Sequence, residues 1–357
     1  MNCNQESSGR RPWLRAALAG ALLSVVAACG ASDGVSPSAE PTPSVPAVDD
    51  PIATPVDSTL PPVPVDSSAG LPPDSIPAVD PSTLASGMQP GIVFGSFGME
   101  ATDLNTVHTG AMRGGGITES NIIPFLTAIR AKGGRLVLKM INGRDSYVET
   151  NGVFDLGKWK ALVDRFRKVN LGPFISDGTL MGHYLIDEPQ RSAKWGKVIS
   201  QATVESMAAY SKSIWPNLTT FVRVSPTWLA SSPVTYRALD AGWLQYTSGK
   251  GEAAKLGAAE VSAAKSKGLG IIMGLNVLDG GNGSSKVAGL SPGKYAMSAT
   301  EIRTYGTALL NQTYACGFYN WAWEYFGPTY YSRSDIKSAM ADLSNKAKAH
   351  VRTSCRQ

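Results

Sequence analysis

Short apolar runs of strand length alternate with helical patterns along residues 89–357, and this alternation restricts the fold more than any other feature. The clearest runs are Gly91–Gly95, Leu136–Ile141, Met181–Ile186, Leu218–Val224, Trp243–Thr247, Leu269–Leu275 and Gly317–Trp323. Alternation of strands and helices predicts a parallel sheet, because each helix returns the chain to the same edge. A domain of about 265 residues suits a (β/α)8 TIM barrel, a single globular domain.

Seven strands are visible in the pattern, so a barrel needs an eighth in one of the two longest gaps. The candidates are Thr106–Met112 and Leu171–Ile175. Either choice makes Met181–Ile186 the fourth strand and Gly317–Trp323 the eighth. The alternative fold is an open doubly wound sheet. It is disfavoured because Gly95-Ser-Phe-Gly98, after the first strand, is not a dinucleotide-binding fingerprint.

Amphipathic helical patterns fill the intervals between the predicted strands. These patterns are Ile122–Ile129, Trp159–Phe166, Val204–Ile214, Ala253–Lys267 and Ile336–Leu343. In addition, Ser298-Ala-Thr-Glu301 is a capping box, which predicts that a helix begins there.

The segment from residue 1 to residue 29 has the pattern of an export signal, with Arg10, Arg11 and Arg15 ahead of the apolar stretch Ala16–Ala28. Val26-Ala-Ala-Cys29 resembles the bacterial lipobox. We therefore expect Cys29 to be lipidated and to anchor the protein to a membrane of the cell envelope, on its periplasmic or extracellular face. An ordinary cleaved signal is the alternative, and the paired arginines leave Sec or twin-arginine export open. No other segment is long and apolar enough to predict a transmembrane helix.

Residues 30–88 have the composition of a linker. Pro, Ser, Val and Ala dominate, no aromatic residue occurs, and the charged residues are all acidic. Such a segment cannot bury enough apolar surface to fold, so we expect it to be extended and disordered. The whole chain has a net charge of +5. When the export signal and the acidic linker are left out, residues 89–357 carry a larger net positive charge than the whole chain. A basic domain favours acidic glycans or anionic surfaces, and a solvated basic surface without a partner is the simpler alternative.

Two cysteines, Cys316 and Cys355, remain after Cys3 leaves with the signal and Cys29 takes a lipid. In an exported protein such a pair is expected to form a disulfide. The bridge would close a loop of about 39 residues and would contribute about 4 kcal/mol through the lost entropy of the unfolded chain.

The ends of the predicted strands carry polar, acidic and aromatic residues, which a barrel would collect at one face. They are Glu100, Asp103, Lys139, Asn142, Arg144, Asp145, Asp187, Glu188, Arg223, Ser225, Gln245, Tyr246, Asn276, Asp279, Asn320, Trp321, Trp323, Glu324 and Tyr325. Aromatic faces stack on sugar C–H surfaces, and carboxylates with amides bind hydroxyl groups. Two acids flanking a glycosidic bond are the usual requirement for its hydrolysis.

The segment Tyr184-Leu-Ile-Asp-Glu-Pro189 resembles the Asn-Glu-Pro strand end of clan A glycoside hydrolases, a superfamily of (β/α)8 barrels. The resemblance implies that Glu188, at the end of strand four, is the general acid/base. It also implies that Trp321 or Trp323, after strand eight, lines the sugar site. A structural role, with the acids capping the next helix or pairing with Arg191, is the alternative, and core packing is the alternative for both tryptophans.

The sequence departs from the family pattern in two ways. Asp187 replaces the Asn of the family pattern, and strand seven ends without a Glu. The second carboxylate would be Glu324, as nucleophile or partner, with Asp279 in reserve. If the strand count is off by one, Glu324 becomes the strand-seven acid. Four residues are expected to orient the substrate, namely Asp187, Arg223, Tyr246 and Asn276.

The leading hypothesis is an enzyme that hydrolyses a poly- or oligosaccharide by acid/base catalysis with two carboxylates. Such catalysis needs no cofactor. The alternative is a non-catalytic glycan-binding surface lipoprotein on a degenerate barrel, and a structural envelope protein is a weaker third hypothesis. Three histidines without His-x-His or His-Glu-x-x-His spacing argue against a metal site. No nucleic-acid module is present, and we expect a monomer.

Overall fold

The computed structural model describes residues 90–141, 148–351 and Cys355. The predicted export signal with Cys29, the predicted linker at residues 30–88, and the strand-end residues Asn142, Arg144 and Asp145 lie outside the described residues.

Eight parallel strands close into a barrel, in agreement with the predicted (β/α)8 fold. They are β1 (Val93–Phe97), β2 (Gly110–Arg113), β3 (Arg135–Leu138), β4 (Leu180–Asp187), β5 (Thr219–Arg223), β6 (Ala241–Tyr246), β7 (Gly270–Leu275) and β8 (Ala315–Asn320). Each strand pairs with its neighbours in sequence, and β1 pairs with β8, where Val93 lies opposite Gly317. A separate two-stranded antiparallel pair joins Glu149–Thr150 to Val153–Phe154.

The strand that was missing from the sequence pattern is β2, Gly110–Arg113. It overlaps the candidate segment Thr106–Met112 and extends one residue beyond it. The other candidate, Leu171–Ile175, is wrong, because Gly172–Ser176 is a short helix. Pro173 lies in the first turn of that helix, where a residue without an N–H is tolerated. The strand that ends in Asp187 is therefore the fourth, as predicted.

Ten α-helices are described between and after the strands. They are α1 (Ile122–Ala131), α2 (Leu156–Asp164), α3 (Gly172–Ser176), α4 (Ser192–Trp195), α5 (Gln201–Ile214), α6 (Pro226–Ala230), α7 (Ala253–Ser266), α8 (Ala299–Leu310), α9 (Gly327–Ser332) and α10 (Ser334–Lys348). The predicted capping box begins α8, where the Ser298 side chain accepts from the backbone N–H of Glu301. In the part of the chain that the structure describes, no helix has the length and apolarity needed to span a membrane.

Large side chains fill the inside of the barrel below its carboxyl end. Phe97, Tyr184, Phe221, Trp243 and Tyr319 belong to one buried cluster. The Trp243 ring packs against Phe97 at a centroid distance of 4.7 Å and against Tyr319 at 5.3 Å. Aromatic packing thus fills the barrel interior beneath the residues at its carboxyl end.

The predicted disulfide between Cys316 and Cys355 is confirmed. Its Cα atoms are 5.3 Å apart, and the two residues are separated by 39 positions in sequence. Cys316 lies in β8, and Cys355 contacts the start of β7 at Gly270. The bridge therefore ties the chain after α10 to the amino-terminal end of the barrel.

Candidate functional site

Strand β4 carries one extra residue immediately before the Asp187-Glu188 pair. Tyr184 lies opposite Phe221 and Asp187 lies opposite Arg223, so three steps along β4 match two steps along β5. A bulge of this kind re-aims the side chains that follow it. The carboxylate of Asp187 consequently faces the barrel interior, where it accepts a hydrogen bond from the Tyr184 hydroxyl at 2.7 Å.

The Asp187 carboxylate is surrounded by cations. Arg223 Nε donates to Oδ1, and Lys194 Nζ donates to Oδ2 at 2.5 Å. Burial alone would raise the pKa of Asp187, but the charges of Arg223, Lys194 and Lys139 hold that pKa well below its usual range. Asp187 is therefore a permanent carboxylate that fixes the position of Arg223, whose second nitrogen donates to Gln245 Oε1 at 2.8 Å.

Glu188 leaves the strand in a left-handed backbone conformation, with φ of 47°. This conformation is uncommon for a residue other than glycine, and such residues cluster at functional sites. The carboxylate oxygen Oε2 accepts from Arg191 at 2.7 Å and lies 3.4 Å from Arg223 Nη2. The pairing with Arg191 that the sequence left open is present, and it holds the carboxylate at the mouth of the barrel.

A cleft with a volume of about 750 Å³ opens at the carboxyl ends of the later strands. Of the residues predicted to be catalytic or to bind substrate, those that line it are Asp187, Glu188, Arg223, Asn276, Asp279 and Trp321. Barrel proteins place their active sites at this end, because the loops that follow the strands converge there. Among the residues that the structure describes, no group of three or more His, Cys, Asp and Glu side chains could hold a metal ion.

The segment between β7 and α8, here called the β7 loop (residues 276–298), forms one wall of the cleft. Asp279 holds this loop in place, since its Oδ1 accepts from the backbone of Leu290 at 2.5 Å and of Ser291 at 3.0 Å. Its Oδ2 accepts from the Ser291 hydroxyl at 2.7 Å. Asp279, the predicted reserve acid, therefore uses both oxygens within the loop.

Three aromatic side chains line the cleft, namely Tyr295, Trp321 and Tyr325. The Trp321 and Tyr325 rings lie 5.9 Å apart, and the Trp321–Ala322 peptide bond is cis. Tyr325 is 67% exposed and Tyr295 is 42% exposed. These rings present apolar faces beside polar groups, an arrangement that suits stacking against the C–H face of a sugar.

Two predicted substrate-binding residues, Tyr246 and Trp323, do not line the cleft. Side chains alternate along a strand, so Gln245 reaches the cleft while Tyr246 points outward and packs against Tyr305 at a centroid distance of 4.9 Å. The Trp323 ring packs against Tyr331 at 5.5 Å, which agrees with the core-packing alternative for this residue.

Glu324 follows β8, so the possibility that it ends strand seven is wrong. Strand β7 ends at Leu275 without a carboxylate. Glu324 is exposed and lines a smaller cavity of about 200 Å³, which shares Asp187, Arg223 and Trp321 with the cleft. Its carboxylate forms no ion pair within the described part of the chain.

The sequence did not single out the lysines that surround the site. Lys194 lies on α4, Lys250 lies in the turn after β6, and Lys294 lies in the β7 loop. None of them ends a strand, so position at a strand end does not indicate them. The glycine-rich run Gly280-Gly-Asn-Gly283 was the available signal for a long loop over the site.

No protein-family model matches the sequence, and no curated protein matches it. Among solved structures, a β-glucanase from Saccharophagus degradans superposes with a TM-score of 0.49 at 11% identity, over 75% of this chain and 96% of the glucanase. An exo-β-1,4-mannosidase from Opitutaceae bacterium strain TAV5 superposes with a TM-score of 0.47 at 11% identity. That match covers 76% of this chain and 63% of the mannosidase, which is less than two thirds of its length.

The catalytic domain of the major endoglucanase from Xanthomonas campestris superposes with a TM-score of 0.45 at 11% identity, over 72% of this chain and 95% of that domain. The assignment of the fold rests on the strand order and the barrel closure. The fold and the site together define a (β/α)8-barrel protein with a charged, aromatic cleft at the carboxyl ends of its strands.

Proposed function

We propose that this protein binds a glycan in the cleft and hydrolyses a glycosidic bond, with Glu188 as the general acid/base. The observation that carries the proposal is the position of Glu188. It lies at the tip of the fourth barrel strand, in an open cleft that also holds the ring of Trp321 and the exposed rings of Tyr295 and Tyr325. Sugar rings stack on these aromatic faces, and the carboxylate faces the bound chain.

In the proposed reaction Glu188 donates a proton to the glycosidic oxygen, and the bond from that oxygen to the anomeric carbon breaks. Glu324 is the proposed second carboxylate, and it either activates the water that attacks the anomeric carbon or attacks that carbon itself. In the second case a water deprotonated by Glu188 attacks the anomeric carbon, which breaks the ester and releases Glu324. Its support is that it is exposed, forms no ion pair with a described residue and lies beside the cleft. Asp187 and Arg223 hold the position of Glu188, and Asn276 faces the substrate.

A second candidate function is glycan binding without turnover. It is favoured by the engagement of Asp279 in the β7 loop and by the lack of a carboxylate at the end of β7. Under this alternative the aromatic rings and polar groups bind the sugar, and Glu188 with Arg191 fixes its orientation.

The two functions are separated by measuring binding and turnover on the same glycan panel. Wild type is compared with Glu188→Gln and with Glu252→Gln, a matched change at an exposed residue paired with Lys255. Loss of a general acid lowers turnover by roughly 10²- to 10⁴-fold while binding persists. Equal turnover by wild type and Glu188→Gln would remove Glu188 from the mechanism, and binding without turnover would establish the second candidate.

We also propose that Cys29 carries a lipid, so that the barrel is tethered to a membrane of the cell envelope through residues 30–88. The support is the lipobox-like Val26-Ala-Ala-Cys29 and the linker composition. Metabolic labelling with a fatty acid tests this proposal. Label in wild type and none in Cys29→Ala is expected, and an unlabelled wild type contradicts it.

A further inference from the structure

A small cavity with a volume of about 170 Å³ adjoins the cleft. The residues that line both spaces are Glu188, Arg223, Gln245, Thr247 and Asn276, so the two spaces meet at the proposed acid/base. Trp243 and Lys250 line the cavity as well, and we call it the inner pocket. Its size admits a substituent of a sugar.

Three residues that line the inner pocket have buried polar atoms without a hydrogen-bond partner among the described residues. These atoms are Trp243 Nε1, Gln245 Nε2 and Gln190 Oε1. The indole N–H can only donate, and Gln245 has its oxygen already committed to Arg223, so its amide nitrogen also remains as a donor. A buried donor without a partner is destabilising, so a ligand that accepts hydrogen bonds from Trp243 and Gln245 is favoured here, while the acceptor Gln190 Oε1 is left for a hydroxyl group of the ligand.

The charges around the inner pocket do not balance. Two carboxylates, Asp187 and Glu188, are paired with Arg191, Lys194 and Arg223. Lys250 adds a fourth cation, and its Nζ donates to the backbone carbonyl of Gln245 at 2.6 Å. Lys250 forms no ion pair within the described residues, but the carboxylates of Glu260 and Glu188 lie near enough to interact with its charge. Four cations therefore face three carboxylates, and a neutral acceptor, such as an acetamido carbonyl, would satisfy the N–H donors but would leave this excess of positive charge.

We propose that the inner pocket binds the carboxylate of an acidic sugar, so that the substrate is a glycan containing uronic acid. This inference rests on the proposed function, because it names the substrate class of the same cleft. A carboxylate supplies the two in-plane acceptor oxygens that the Trp243 and Gln245 donors require, and its charge compensates Lys250.

The test uses the mature protein and titration calorimetry with matched sugars. The probes are trisaccharides of galacturonate, glucuronate and mannuronate, each paired with its counterpart in which the carboxyl groups are reduced to hydroxymethyl groups. Wild type is expected to bind one uronate at least roughly tenfold more tightly than its reduced counterpart, the effect of a hydrogen bond to a charged group. Lys250→Met is expected to reduce that preference to roughly threefold or less.

Lys255→Met is the control, because it removes the same charge from an exposed side chain that pairs with Glu252 outside both cavities. It should keep the full preference of wild type. If a uronate and its reduced counterpart bind wild type equally, or if Lys250→Met keeps the preference, the inner pocket is not a carboxylate site, and the proposed glycan function stands. If no sugar of either kind binds, both proposals are overturned.

Discussion

The backbone N–H of Glu188 donates to the carbonyl oxygen of Arg223 at 3.0 Å, and the Arg223 guanidinium lies 3.4 Å from the Glu188 carboxylate. The pairing of β4 with β5 therefore continues through the residue proposed to act on the bond. Because Arg223 is itself held by Asp187, the position of Glu188 depends on a charge pair at the top of the barrel interior.

Asp187→Asn is expected to destabilise the fold by about 3 kcal/mol, because it removes the carboxylate that pairs with the partly buried Arg223 and Lys194. Urea unfolding measures the change. The control is Asp164→Asn, whose partner Arg167 is about half exposed at 48%, and there the loss should stay below about 1 kcal/mol. Equal losses in the two variants would contradict the structural role of Asp187.

Tyr325→Ala is expected to weaken glycan binding by roughly three- to tenfold, the contribution of one aromatic face. The ring is 67% exposed, so the free energy of unfolding should change by less than about 0.5 kcal/mol. Trp323→Phe is the contrasting variant, because Trp323 packs against Tyr331 away from the cleft. Calorimetry should give unchanged affinity for Trp323→Phe, and a larger loss there than in Tyr325→Ala would mean that the wrong ring has been assigned.

Acidification should destabilise the protein through His108, whose pKa is lowered to about 4 by burial. The folded state keeps this imidazole neutral, so stability is full above the ordinary pKa of about 6.5 and falls as the pH drops toward 4. Both ring nitrogens lack a partner among the described residues, and the ring stacks on Phe94, so phenylalanine can replace it. Between pH 7 and pH 4, the free energy of unfolding of His108→Phe should therefore fall by up to roughly 3 kcal/mol less than that of wild type, as measured by urea titration. Parallel pH profiles for the two proteins would refute this assignment.

The disulfide between Cys316 and Cys355 is expected to stabilise the barrel by about 4 kcal/mol, because it closes a loop of 39 residues in the unfolded chain. The double variant Cys316→Ala/Cys355→Ala should show this loss in urea unfolding. Wild type treated with a reductant serves as the control and should unfold at the same denaturant concentration as the double variant. A difference between these two samples would show that the substitutions act through packing.

The architecture could be predicted from the sequence because strands and helices are specified by nearby residues. Apolar runs and helical stripes marked seven of the eight strands, and the short β2, with four residues, gave the weakest signal. The number of strands in the pattern was enough to place Glu188 at the end of the fourth strand. The two cysteines predicted the disulfide by elimination.

The tertiary structure decided which side chains face the cleft. The bulge in β4 turns the Asp187 side chain toward the barrel interior, and the periodicity of the sequence does not predict this bulge. Side chains alternate along β6, so Gln245 faces the cleft and the next residue, Tyr246, faces away from it. Asp279, which was predicted as a reserve catalytic acid, is instead hydrogen-bonded within the β7 loop. Patterns of period 2 and 3.6 record contacts between near neighbours, whereas a site at a barrel mouth is assembled from residues more than a hundred positions apart. The sequence by itself thus determined the barrel and the strand that ends at Glu188, and only the folded chain determined the partners of that residue.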